Sequence, residues 1–257
     1  MSVVRMSRAG SNMEHYEERV DLACAFRWAA RLGLHEAVAN HFSLGVGGGM
    51  VLINPDRRHF SRLRASDMLL IDVNDDSTPE RADAPDPTAW GLHGAIHREC
   101  GHVGCAMHVH SVYATVLACL EDSRLPPLEQ SAAMFHDRLL IDEGYDGLAF
   151  AEEGARCAAM LNARPECRVM VMGNHGVLVV GPNVAETFDY LFYFERACEI
   201  YVKALSTGRP LRVMSDGVAS RVVSQIENYP VEGMSSGERH FSELRLTLDE
   251  QEPEYRE

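Results

Sequence analysis

The chain has 257 residues, 46% of them hydrophobic, enough apolar material to bury a full core as one domain. A formal charge of −14 excludes non-specific binding to nucleic acid, which needs clustered Lys and Arg against phosphates. No apolar run approaches the length of a membrane span and the first residues lack the apolar stretch of a signal peptide, so no membrane contact and a cytoplasmic location are expected.

Residues 1–13 read as a flexible arm. From Glu14 to Leu32 apolar residues recur at helical spacing, with Val20, Ala23, Cys24 and Trp28 on one side and Gly33 as the terminator. HFSLGV and MVLINP flank Gly47, Gly48 and Gly49, the pattern of a β-hairpin that Asn54 and Pro55 end. A short strand from Met68 to Ile71 leads into an acidic, proline-bearing loop and then a helix from Ala89 to Glu99. On that helix His93 and His97 are four apart and share a face; lacking a glutamate between them, they read as groups that support or line a cavity.

The stretch 101–120, GHVGCAMHVHSVYATVLACL, carries the chemistry. His108 and His110 are two apart, so a strand through them aims both imidazoles at one side. Ser111 can cap the helix that follows, placing the pair at a strand's carboxyl end. Further on, SAAMFHDRLLID suggests a strand or two short ones, and Glu152 to Asn162 a helix. Strands near Val169–Met172 and Val177–Val180 then enclose a Gly-Asn-His-Gly turn, whose His175 is the best candidate for a third donor. Asn183 can cap a long helix from Val184 to about Leu205. Residues 207–257 read as a polar C-terminal extension, partly disordered or wrapped on a neighbouring subunit.

Seven cysteines, an odd number with no Cys-x-x-Cys, point to small core residues, not a disulfide framework. There is no GxGxxG or P-loop, so nucleotide chemistry is not expected.

WGLHGAIHRECGHVGCAMHVHSVYAT, VMVMGNHGVLVVG and the helix ending near FERACEIYVKAL together resemble the class II aldolase/adducin family, over roughly residues 15 to 205. The resemblance implies a three-layer α/β/α sandwich with a central, mostly antiparallel sheet, formed by residues 14–206. It also implies a homotetramer, and a divalent metal held by His108, His110 and His175. Zinc is the first expectation, with manganese, iron or cobalt as alternatives. Three imidazoles leave a cation open positions for substrate oxygens, as in catalytic sites.

The sequence departs from the family's sugar-phosphate aldolases. Their acid/base glutamate falls at Ala89, the serines before it at Pro87 and Thr88, and the two phosphate loops at Asn40-His41 and Asp56-Arg57. Ser43 and Thr88 remain for substrate binding, and Arg57 and Arg58 are suited to grip a carboxylate. His136 and His93 can move protons near neutrality, with Tyr113 or Tyr145 as donors. The expectation is a metal-dependent lyase that cleaves a carbon–carbon bond, by aldol cleavage or decarboxylation, in a small oxo or carboxylic acid substrate. Two alternatives stand beside it: an Fe(II)-dependent oxygenase of aromatic 2-oxo or 2-hydroxy acids, and a non-catalytic adducin-like scaffold. The intact histidines and the absence of a long neck and basic tail speak against the scaffold.

Overall fold

In chain order the elements are α1 (Tyr16–Leu32), β1 (His41–Gly47), β2 (Met50–Ile53), β3 (Leu69–Asp72), α2 (Pro87–Glu99), β4 (Cys105–Val109), α3 (Val112–Ala118), α4 (Gln130–Ala133), β5 (Leu139–Asp142), α5 (Ala151–Ala163), β6 (Val169–Met172), β7 (Gly176–Gly181), α6 (Val184–Ser206), α7 (Asp216–Glu227) and α8 (Ser236–Gln251). This computed structural model describes residues 13–75, 80, 84–147, 151–229 and 233–257, so most of the N-terminal arm and part of the acidic loop lie outside the described residues.

The strands form one sheet in the order β3-β2-β1-β4-β7-β6-β5, antiparallel throughout except for β5 against β6. Alternation along each strand then sorts side chains between two helical layers. On one face Phe42, Met107, Val109 and Val179 pack with Phe26 of α1, Leu117 of α3 and Phe188 and Phe194 of α6. On the other, Ala106, Met170 and Leu178 meet Leu92 and Ile96 of α2 and Cys157 and Leu161 of α5. Each large side chain so buried contributes about 1.5–3 kcal/mol. The three-layer sandwich with a mostly antiparallel sheet is therefore the observed fold. Gly33 ends α1 as expected: at φ 67° it lets the Leu34 N–H reach Ala29 O at 2.9 Å.

Two segments differ from expectation. Where SAAMFHDRLLID suggested strands, its first part is the short helix α4, because the Glu129 carboxylate accepts the N–H groups of Ser131 and Ala132, both at 2.7 Å; only β5 is a strand. The C-terminal part is not a polar extension. Ser235 and Glu238 cap α8 reciprocally, and Phe241, Leu244, Leu248 and Tyr255 enter the same core as α1 and α6. Trp28 Nε1 also donates to Leu244 O at 2.9 Å. The boundary expected at 206/207 thus cuts through a continuous core.

Candidate metal centre

β4 lies between β1 and β7, and its period of two sends Met107 and Val109 into one core and Ala106 and His108 to the α2/α5 side. His110 follows one residue after the strand ends. His175 comes from the turn between β6 and β7, where Asn174 takes φ 56°, a value asparagine tolerates. Gly176 permits the close approach: a Cβ there would stand 2.6 Å from Val109 O and 2.8 Å from His110 Cδ2.

The three imidazoles converge. His108 Nε2 and His110 Nε2 are 3.0 Å apart, and the ring centroids of the three residues lie 4.7–4.9 Å from one another. One nitrogen from each falls within 4.8 Å of the others, so the triad could bind a metal ion. The donor set fits a divalent cation, since neutral imidazoles are the ligating form. Burial lowers the His108 pKa well below its usual value, and the neighbouring histidines push the same way. His110 is also lowered by burial, against the pull of the Glu36 carboxylate, whose Oε2 is 2.8 Å from His110 Nδ1. Such a carboxylate orients the ring and raises its basicity as a ligand.

The turn that carries His110 is held from behind. Ser111 occupies the helix cap position, but its hydroxyl does not cap α3. It donates to Glu195 Oε2 at 2.7 Å, and the buried Glu195 carboxylate takes the N–H groups of Tyr113 and Ala114, both at 2.9 Å. Two carboxylate oxygens satisfy donors that one hydroxyl could not, at the positive end of the helix.

A cavity of about 280 Å³ opens on the triad, with His41, Asp86, Thr88, Tyr145 and Glu153 also in its wall. Asp86 caps α2: its Oδ1 accepts from Thr88 N at 2.9 Å and Ala89 N at 3.2 Å, and from the Thr88 hydroxyl. Burial opposes its charge, yet these hydrogen bonds keep its pKa below the usual carboxylate range. Tyr145 brings its ring centroid to 5.6 Å from that of His175.

From His41 in this wall a buried polar layer extends inward. His41 faces His108 across the β1–β4 pair, with the rings 5.8 Å apart and nearly parallel, and burial lowers its pKa to about 4. The Ser43 hydroxyl sits 2.5 Å from His93 Nδ1 and 2.8 Å from His97 Nε2, so both helix histidines support the site from within. Burial drives the His93 pKa far down and that of His97 to about 4.

Of the residues singled out from sequence, the structure gathers His108, His110, His175, Thr88 and Tyr145 at the cavity, with His93 and Ser43 one layer behind. The others stand elsewhere. Arg57 is 86% exposed at its side chain and pairs with Asp56, and Arg58 pairs with Asp67. His136 lies beside Asp137, and Tyr113 packs under Lys203. None of these four lines the cavity. Missed in the sequence were Asp86, whose place before Pro87-Thr88 is a helix-start signal, and Glu153, whose burial depends on a helix crossing that no local pattern announces.

The model of the class II aldolase and adducin N-terminal domain matches residues 20–202. A class 2 aldolase protein of Pseudomonas aeruginosa is 30% identical over 246 residues, covering 94% of this chain and 93% of that protein. Among solved structures, an aldolase II superfamily protein from Pseudomonas syringae superposes with a TM-score of 0.81 at 26% identity, over 98% of both chains. An L-fuculose 1-phosphate aldolase from Glaciozyma antarctica shares the fold at a TM-score of 0.78 and 18% identity, covering 98% of this chain and 96% of its own. With the matched residues spanning most of the chain and the fold agreeing throughout, the chain belongs to the class II aldolase/adducin family.

Proposed function

We propose that the protein is a metal-dependent lyase that cleaves a carbon–carbon bond next to a carbonyl in a small oxo or carboxylic acid substrate, by aldol cleavage or decarboxylation. The observation that carries this reading is the convergence of three imidazole nitrogens on one side of an open cavity. His108, His110 and His175 would hold the cation, with zinc the first expectation. When bound, it supplies a Lewis acid that polarises the carbonyl and steadies the negative charge developing beside it.

The chain's own groups do the rest. Glu36 orients His110, and Glu195 fixes the turn beneath it. Thr88 and Asp86 offer polar contacts to the substrate. Tyr145, the phenol at the cavity, is the group we assign to deliver a proton to the departing fragment. A decarboxylation suits the alanine at position 89, because loss of carbon dioxide yields the carbanion without an initial base. The same reading takes the protein as a cytoplasmic homotetramer.

Metal content per chain, on protein purified without chelators or a histidine tag, is the deciding test. Near-stoichiometric zinc, manganese or cobalt, lost in His110→Ala with the fold intact by circular dichroism, is expected, together with lyase activity on oxo acids. Iron accompanied by dioxygen consumption would replace the lyase with the oxygenase. A chain that takes no metal after reconstitution would overturn both.

A further inference from the structure

Glu153 stands out in the cavity wall. Its side chain is only 7% exposed, in the first turn of α5, yet no hydrogen bond reaches its carboxylate from any described residue. The cationic or protonatable groups near it among the described residues are too far to donate: Arg156 Nη2 at 3.8 Å and His175 Nδ1 at 3.7 Å. Arg156 is committed elsewhere, with two 2.9 Å bonds to Asp142. The position is enforced by packing, since a Cβ on the adjacent Gly154 would come within 2.1 Å of Gly91 O, which seats α5 directly on α2. A buried carboxylate that receives no donor is costly, and the Glu153 side chain lines the cavity, from which a ligand's donors can reach it.

Asp86 faces the same space. Its Oδ1 is filled by α2 and Thr88, while no hydrogen bond is made by Oδ2 among the described residues. Asp86 and Glu153 are thus two carboxylates at one cavity, and no Lys or Arg among the described residues lines it.

We infer that Asp86 and Glu153 form a hydroxyl-binding subsite, so that the part of the substrate lying away from the metal carries hydroxyl groups and no phosphate. This rests on the metal reading above and narrows its substrate class. Hydroxyls donate to the free carboxylate oxygens, and charge-assisted bonds of this kind are stronger than neutral ones. A phosphate would face two negative charges with no Lys or Arg lining the cavity among the described residues.

The test uses a matched pair of metal-chelating probes, glycolohydroxamate and phosphoglycolohydroxamate, which differ only in the phosphate. Cobalt-loaded protein is titrated with each by calorimetry at fixed ionic strength. The unphosphorylated probe should bind at least about tenfold more tightly, a gap of ~1.4 kcal/mol. Glu153→Gln and Asp86→Asn should each narrow that gap; both keep side-chain shape, and asparagine still caps a helix. Equal or tighter binding of the phosphorylated probe would overturn the subsite, as would a gap unchanged in both variants. Cobalt loading is read beforehand from visible absorption. Failure to load therefore defeats the metal reading, whereas full loading with the wrong preference defeats the subsite alone.

Discussion

Two cavities of nearly equal size hold their polar groups in opposite condition. The one between α4, β5, α6, α7 and the start of α8, about 290 Å³, is rich in charge, but most of its charged groups are hydrogen-bonded: Arg138 to Glu227 at 3.0 Å, Asp189 to His240 at 2.8 Å, and Arg168 to Pro165 O at 3.1 Å. In the other, about 280 Å³, the Nδ1 atoms of His41, His108 and His175 are buried without a hydrogen-bond partner, and Glu153 makes no hydrogen bond, among the described residues. Folding normally satisfies buried polar groups, so the difference separates a cavity that closes a structure from one that reserves its donors and acceptors for something else. Size alone would not have told them apart.

The sharpest way to break that contrast is pH. Burial holds His41 and His97 at about 4, against 6.5 in an unfolded chain. Between those values the unfolded chain binds protons that the folded chain refuses, so stability rises with pH across this window and is lost as pH falls toward 4. Urea unfolding of the metal-free protein should show a slope of up to about 1.4 kcal/mol per pH unit for each such histidine. His97→Gln should make it shallower by one histidine. A flat profile from pH 6.5 to 4 would mean that these rings are not held neutral by the fold.

A smaller effect is expected at the support behind the metal cavity. Glu195→Ala strips three donors of their acceptor and should cost about 2 kcal/mol in unfolding free energy. It should also weaken cobalt binding, because the turn carrying His110 loses its anchor; unaltered affinity would limit Glu195 to stability. The smallest effect belongs to the matched cavity. Removing the part-exposed Arg138–Glu227 pair by Arg138→Ala should change stability by no more than about 1 kcal/mol and leave cobalt binding untouched. A drop in cobalt affinity there would erase the distinction between the two cavities.

Much of this was legible in the chain. Period-two alternation and the His-x-His spacing define β4 and the direction of His108, and the Gly-Asn-His-Gly turn marks His175, because these are local signals. The C-terminal helices were harder. The capping pair Ser235 and Glu238 and the spacing of Phe241, Leu244 and Leu248 were present, but a helix with charged residues between those positions reads as solvated until a groove is known to receive it. Glu153 and Asp86 could not be paired from sequence at all. Their meeting depends on the contact of α5 with α2 at Gly154 and Gly91, two residues 63 positions apart with no shared pattern. The positions of Arg57 and Arg58 were misleading for a related reason: nearness in sequence to a family's phosphate loop says nothing of the acidic residues, Asp56 and Asp67, that draw them away.

α3 joins the two arms of the metal centre. His110 and Ser111 lead into its first turn, and at its far end Ala118 O accepts the N–H of Asn174 at 2.9 Å, tying down the loop that bears His175. The next residue is Cys119, an exposed thiol, while the other six cysteines are buried; burial raises Cys100 to about 11 and Cys105 to about 12. A maleimide dye near neutral pH would therefore attach at a single place, next to the residue whose carbonyl ties down the turn of the third ligand.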